Sequence, residues 1–418
     1  MQDQIQAGES AVEAPPAPEK TTPEKAAPER TAKPRPVWLT SLLSGYWIWL
    51  TGLAAYAITT AVAWIPFDGL EGKGGGPPAT IQELLAVWHR WDTVWYVIIA
   101  DSGYEYDERA TAFFPLYPML IRYANPLVPG GTFEAALAVS VLACLAALVL
   151  VHRLTAEMLG PAHAQRATFY LLAFPTGFYL VAAYNESLFI ALSVASLYFM
   201  RRGRWWYAGM FAGLAGATRM AGVMLALAFI YEYLRQRGWR GIKLDALGLA
   251  LVPTGLAAYL FYCYRVFGDA LHFLESQKAW FRYGFQPPWT TVIEVVELIG
   301  NTGPFSAPTT TRNIINLTVA LTVLLLLVAA LVGPWKLGRD HAYLVIFAAT
   351  IILMPLSNPL RSDYPLSSMW RFALECTVIF MVFARMGRDR VFDRGYLAIG
   401  LMMQGAMVVS FVHDQFVA

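Results

Sequence analysis

An aspartate set among tryptophans is the residue of this sequence best placed to do chemistry. The stretch 88–118 reads W-H-R-W-D-T-V-W-Y-V-I-I-A-D-S-G-Y-E-Y-D-E-R-A-T-A-F-F-P-L-Y-P. On a helix at about 100° per residue, Trp88, Trp91, Trp95, Tyr96, Ile98 and Ile99 share an arc of roughly 160°, and Asp92 lies inside it. A carboxylate among aromatic rings is costly unless it has a partner or a task. Arg90 and Asp101 fall on the opposite face, where water can solvate them. The plainer reading is that Asp92 only begins a helix, a common place for aspartate.

Other ionisable residues stand at comparable positions. Arg219 sits between two apolar runs, and an ionisable group at membrane depth is a functional candidate by default. Its alternative is snorkelling to nearby headgroups. Glu186 opens a helix beside Tyr184 and Asn185, where an acid can also simply match the helix dipole. Arg361 and Arg371 precede a late apolar run and are candidate headgroup or sugar contacts; His89 and Arg90 flank Asp92 as candidate assistants. Phe113, Phe114, Pro115, Tyr117 and Pro118 read as a rigid aromatic turn, since each proline fixes its own φ and pushes its predecessor toward extended geometry. Tyr117 joins the candidate substrate contacts. The six histidines show no metal-ligand spacing, so neither a metal nor a cofactor is expected. Cys144, Cys263 and Cys376 lie in separate apolar runs and read as small core residues.

The elements that must position these groups are membrane spans. Of the 418 residues 57% are hydrophobic and 14% charged, and the mean hydropathy is +0.46, values of a polytopic membrane protein. A net charge of +2, without a basic block interleaved with aromatic residues, gives no reason to expect nucleic acid. Apolar runs near 46–65, 133–153, 167–183, 186–200, 205–217, 219–234, 245–265, 312–333, 341–356, 370–386 and 395–413 make about eleven spans. Short paired runs suggest a broken or hairpinned region around 205–234. Basic residues crowd alternate loops: Lys33 and Arg35; Arg153 and Arg166; Arg201, Arg202 and Arg204; Arg235, Arg237, Arg240 and Lys243; Lys336 and Arg339; Arg385, Arg388, Arg390 and Arg394. One register satisfies them all, with the N-terminus cytoplasmic, the C-terminus outside, and the long connections at about 66–132 and 266–311 on the outer face.

Residues 1–36, rich in Pro, Ala, Glu, Lys and Thr, are expected to be a disordered cytoplasmic tail rather than a signal peptide. Residues 37–418 are expected to be a single transmembrane domain. The first outer loop is too aromatic to be disordered, and 81–100 is expected to lie along the outer leaflet as one amphipathic helix. The glycines at 72–76 lack the spacing of a phosphate loop and read as a surface turn.

Three blocks in order carry a family resemblance. W-D followed by I-A-x-x-G-Y and A-F-F-P-L-Y-P (Trp91, Asp92, Ile99, Ala100, Gly103, Tyr104, Ala112 to Pro118), then Y-N-E-S-L-F (Tyr184 to Phe189), then A-T-R-M-A-G-V (Ala217 to Val223) resemble the mannosyltransferases that add the second mannose to GPI anchors, and their prokaryotic relatives. W-R-F (Trp370 to Phe372) is a weaker fourth match. The resemblance implies an all-α, GT-C-like bundle with a polyprenyl-phosphate mannose as donor and Asp92 as the essential acid of the first outer loop. Inverting transfer then needs one carboxylate to take the acceptor hydroxyl proton and a cation, here Arg219, for the departing phosphate. The two-carboxylate pair of a glycosidase is not needed. The implied acceptor is a glycolipid or glycan at the outer face of a bacterial cell membrane, or in the endoplasmic reticulum membrane if the chain is eukaryotic. A transporter or flippase for a lipid-linked sugar and a non-catalytic scaffold are the competing readings. A transporter should show repeated halves with polar groups near mid-bilayer, and no internal repeat is present.

Overall fold

The computed structural model describes residues 37–64, 80–282, 284–303 and 307–417. The expected disordered tail at 1–36 and the glycine turn at 72–76 lie outside them. In chain order the α-helices are α1 (Val37–Val62), α2 (Ile81–Ala86), α3 (Asp92–Ser102), α4 (Leu116–Ala124), α5 (Thr132–Leu159), α6 (Pro161–Leu172), α7 (Glu186–Arg201), α8 (Trp205–Gly216) and α9 (Leu225–Arg237). There follow α10 (Thr254–Phe267), α11 (His272–Ala279), α12 (Pro288–Thr302), α13 (Pro308–Leu331), α14 (Ala342–Ser357), α15 (Met369–Glu375), α16 (Thr377–Met386) and α17 (Arg390–Val412). Short 3-10 turns join several of them, and the described residues contain no strand. The fold is an all-α membrane bundle, as the apolar runs and the resemblance imply.

Helix length decides which runs can cross a bilayer unaided. α1, α5, α13, α17 and the segment Arg339–Ser357 are long and apolar enough, and the bent pair Leu244–Leu251 plus α10 makes a sixth if counted as one span. The chain is therefore a multi-pass membrane protein, but eleven full-length spans is more than this measure supports. The physical reason lies in the middle of the bundle. α6, α8 and α9 have 12 or 13 residues and α7 has 16, so at about 1.5 Å per residue none exceeds roughly 24 Å, against a hydrocarbon core of roughly 30 Å. These short helices are held by neighbours: α7 packs on α5 and α8, and most of its side chains are buried.

Close backbone approach makes that packing possible. A Cβ on Gly209 would lie 1.9 Å from the carbonyl oxygen of Gly248, and one on Gly255 would lie 2.0 Å from that of Gly213. Only glycine lets α8 and the segment leading into α10 touch in this way, as small residues do between helices in lipid. The expected break near 205–234 is present: α8 stops at Gly216, and a 3-10 turn from Met220 to Met224 leads into α9.

The bundle has two polar ends. α7 begins at Glu186 and finishes at Arg201, about 22 Å away along its axis. At the Arg201 end, Glu157, Arg202, Arg235, Gln236, Asp340 and His341 line one polar hollow, so several of the basic loops meet there. At the Glu186 end the two long connections meet, with Thr111 hydrogen bonded to Ser276 at 2.5 Å.

Candidate active site

The single helix expected over 81–100 is two helices. α2 ends at Ala86, the chain turns through 87–91, and α3 begins at Asp92. Trp91 causes the break: its φ of 53° is a left-handed value that a bulky side chain rarely adopts. Asp92 therefore opens a helix and shares no helical face with Trp88. Trp88, Tyr96 and Ile99 are buried while Trp91 is among the exposed large side chains.

Asp92 nonetheless has a specific partner. Arg371 Nη2 donates to its Oδ2 at 2.8 Å, and the carboxyl side chain stays 26% exposed. The start of α3 is pinned from below. The Asp92 backbone N–H donates to the Tyr184 hydroxyl at 3.3 Å, and the Thr93 hydroxyl donates to the Ala182 carbonyl at 3.1 Å. Among the described residues the other oxygen, Oδ1, has no hydrogen-bond partner.

Behind Asp92 the charges form a chain. Glu186, completely buried, accepts from Arg371 Nε at 2.7 Å and from Arg219 Nη1 at 3.3 Å through the same oxygen. Arg219 also pairs with buried Glu375. The Arg371 guanidinium lies over the rings of Tyr184 at 4.8 Å and Tyr179 at 5.1 Å, and that of Arg219 lies over Phe372 at 5.5 Å. Each ring shields the cation from water and returns cation–π attraction. Removing one member of so buried a network leaves an uncompensated charge, at a cost of about 3–5 kcal/mol.

These groups border a cavity of about 240 Å³, whose lining includes Asp92, Asn185, Thr218, Arg219, Arg282 and Arg371. Asn185 Nδ2 donates to the Thr218 carbonyl at 2.9 Å, tying the start of α7 to the break after α8. Four other expected contacts lie outside the lining, as do Tyr184 and Glu186 behind it. His89 stacks on Phe133 at 4.7 Å, and burial lowers its pKa. Arg90 faces Asp414, Nε to Oδ1 3.7 Å, while its carbonyl accepts the Tyr184 hydroxyl at 3.5 Å. Tyr117 is buried against α5, with its hydroxyl 2.6 Å from that of Ser140. Arg361 is turned to Glu294 and Gln286.

Backbone strain is concentrated at the same place. Five described residues other than glycine have positive φ: Trp91 (53°), Ala183 (57°), Phe281 (60°), Ser368 (68°) and Asp414 (63°). Four of the five stand one to three residues before a charged arm: Trp91 directly before Asp92, Phe281 directly before Arg282, Ala183 three residues before Glu186 and Ser368 three before Arg371. Each costs of order ~1–3 kcal/mol and persists only where the surroundings impose it, a distribution typical of active sites.

Two members of the site escaped the sequence reading. Glu375 lies in the apolar run 370–386, four residues after Arg371, and an acid in such a run is itself a signal. Arg282 gives no comparable sign. It is one of the many polar residues in the second long loop.

Comparison with known proteins now bears directly on this arrangement. Residues 78–246 match the family model described as Mannosyltransferase (PIG-V). The family resemblance drawn from the motif blocks therefore holds, and the matched segment contains Asp92, Tyr184, Asn185, Glu186 and Arg219. GPI alpha-1,6-mannosyltransferase 2 of Rattus norvegicus is 28% identical over 247 residues, 51% of this chain and 50% of the relative. Its counterpart from Cricetulus griseus is 32% identical over 154 residues, 34% of this chain and 31% of the relative. The chain thus spans at most about half the length of these curated relatives. ArnT from Cupriavidus metallidurans, in its crystal structure bound to undecaprenyl phosphate, superposes with a TM-score of 0.50 at 16% identity, covering 86% of this chain and 63% of that one. That likeness is one of fold. Arg282, Arg371 and Glu375 lie beyond the segment matched by the PIG-V model.

Proposed function

We propose that this protein transfers a mannosyl residue from a polyprenyl-phosphate mannose to a glycolipid or glycan acceptor, with Asp92 as the general base. The observation that carries the proposal is the Asp92 carboxylate, held through one oxygen by Arg371 and open through the other to a cavity that arginines border. In the transfer, an acceptor hydroxyl approaches Oδ1 and gives up its proton there. Its oxygen attacks the anomeric carbon from the side opposite the phosphate, the carbon–oxygen bond to phosphate breaks with its electron pair, and the anomeric configuration inverts. Positioning and proton removal are the tasks of Asp92 and its support. The developing phosphate charge falls to the arginines that border the cavity. Tyr184, Asn185 and Glu186 hold the machinery in place from the start of α7.

A lipid donor suits the surroundings. An apolar groove of about 530 Å³ runs between α4, α8 and α10, lined by Leu116, Met119, Leu214, Ala217 and Tyr259 among others. Phe114 and Thr218, the chain neighbours of its lining residues Pro115 and Ala217, line the polar cavity instead, so groove and cavity adjoin. Part of a polyprenyl chain in the groove would bring its phosphate to the arginines. ArnT, the structural neighbour, binds such a lipid phosphate. The proposal includes the remaining expectations: no metal or cofactor, a site on the outer face, and residence in a bacterial cell membrane.

Purified protein should transfer labelled mannose from a polyprenyl phosphate to extractable lipid or glycan, and should do so after treatment with a chelator. Failure with every polyprenyl-phosphate mannose supplied would sink the reading, while loss on chelation alone would remove only the metal-independent part. A transporter would move the labelled donor across a vesicle wall without cleaving it.

A further inference from the structure

Charge accounting at the site leaves one cation unassigned. Asp92, Glu186 and Glu375 bring three carboxylates to two arginines, Arg219 and Arg371, and every one of these five groups is paired with another of them. With all three carboxylates ionised, that cluster on its own carries one net negative charge, which repels a phosphate. Arg282 lines the same cavity and has a different environment. Among the described residues it meets no carboxylate, and its guanidinium donates to a neutral acceptor, the Asn358 carbonyl.

We propose that Arg282 is the phosphate-binding cation of this site, taking the phosphate of a polyprenyl-phosphate sugar, whereas Arg219 and Arg371 chiefly hold the carboxylates. The assignment rests on the mannosyltransferase reading and deepens it. An arginine offers a planar fork matched to two phosphate oxygens, and a cation that has no counter-charge when the site is empty gains most from an arriving anion.

The backbone keeps Arg282 in place. Phe281, directly before it, takes the left-handed φ of 60°, and its carbonyl accepts the Arg361 backbone N–H at 2.7 Å. The Arg282 N–H itself donates to the Gln277 carbonyl at 3.1 Å. The loop after α11 and the loop after α14 therefore fix the residue jointly. Its strain matches that preceding Asp92, Glu186 and Arg371, which places Arg282 in the same constellation although it comes from the second long connection. Burial, and then repulsion from Arg219, lower its pKa to about 10, as expected of a cation without a counter-charge.

The test is equilibrium binding of undecaprenyl phosphate to the full-length protein in detergent, with undecaprenol as the uncharged probe and inorganic phosphate as competitor. For Arg282→Gln, affinity for undecaprenyl phosphate should fall at least about tenfold, the scale of a lost charge-assisted hydrogen bond. Undecaprenol binding should be unchanged, and inorganic phosphate should compete on the native protein alone. Arg282→Lys, which keeps the charge and loses the fork, should fall between the two and stands in if the glutamine variant does not fold. Equal affinity of native and variant protein for undecaprenyl phosphate overturns the assignment and leaves the mannosyltransferase reading standing. Native protein that binds undecaprenol as tightly as undecaprenyl phosphate overturns both.

Discussion

The two polar ends of the bundle are built from the same residue types in different ways. At the basic end, Arg153 pairs with Glu157 four residues on, and Arg235 with Glu232 three residues back. Such partners meet as soon as their helix forms. At the other end, Asp92 and Arg371 are 279 positions apart, Glu186 and Arg371 185, and Arg219 and Glu375 156. Nothing local brings them together, so the whole fold must. The backbones differ too: the basic-end turns place positive φ on glycine, at Gly203 (64°) and Gly238 (66°), whereas the site end, besides glycines such as Gly103 and Gly268, places it on Trp, Ala, Phe and Ser. Size does not separate the ends, for the basic-end hollow, at about 580 Å³, is the larger. The basic end has long-range pairs too, Arg202 with Glu157 and Arg235 with Asp340, but each has a member at least half exposed. What separates the ends is a buried network of non-local charge pairs on strained backbone, which folding alone does not require.

The sharpest break in this comparison should come at Asp92. Asp92→Asn keeps shape and most hydrogen bonding, so transfer should fall about 10²–10⁴-fold while the protein still folds, as for loss of a positioned base. Asp101→Asn should be nearly silent, because Asp101 is turned to the Thr132 hydroxyl. Full turnover in the Asp92 variant, with loss in Asp107→Asn or Glu108→Gln, would show that a different carboxylate of the loop is the base.

Stability should divide the two ends next. Glu186→Ala strips both arginines of a partner inside a buried network, and unfolding in detergent should move by about 3–5 kcal/mol. Arg202→Ala at the basic end removes a half-exposed pair with Glu157 and should cost no more than about 1 kcal/mol. Equal losses would mean that the site-end network is ordinary structural packing.

How much of this could be read beforehand differs from residue to residue. The runs that became α5 and α13 were legible from length and hydropathy. The runs of α6 to α9 looked alike, yet whether they cross a bilayer depends on neighbours that hydropathy does not see. Asp92 stood out through its aromatic setting, but the face argument failed because no propensity places a tryptophan at φ 53°. Glu186 and Arg219 were found, whereas their direct interaction depends on tertiary packing. Arg282 and Glu375 meet the site only through the folding of distant loops, beyond the reach of any local pattern.

Orientation offers a third comparison, with an all-or-none readout and no energetic content. Ser276, in the second long connection, is buried at 8% exposure and cannot report orientation. Tyr106 at the site end and Trp239 at the basic end are 69% and 77% exposed. With sealed, correctly oriented cells, an impermeant thiol reagent should label Tyr106→Cys and spare Trp239→Cys. The reverse pattern would put the site on the cytoplasmic face.

The smallest effect probes the strain itself. At the basic end Gly238 has φ 66° with nothing within 4 Å of a Cβ built on it, so Gly238→Ala should lose about 1–2 kcal/mol from conformation alone. At the site end Ala183 already carries that burden at φ 57°. Ala183→Gly should relieve it and, after the greater unfolded-state entropy of glycine is subtracted, leave stability unchanged or raised by up to about 1 kcal/mol. Turnover should fall even so, because the turn at 183 carries Tyr184 and Glu186 beneath Asp92 and Arg371. A thermal midpoint that drops as far for Ala183→Gly as for Gly238→Ala would mean that the alanine methyl is held by packing, and that positive φ at the site end is incidental.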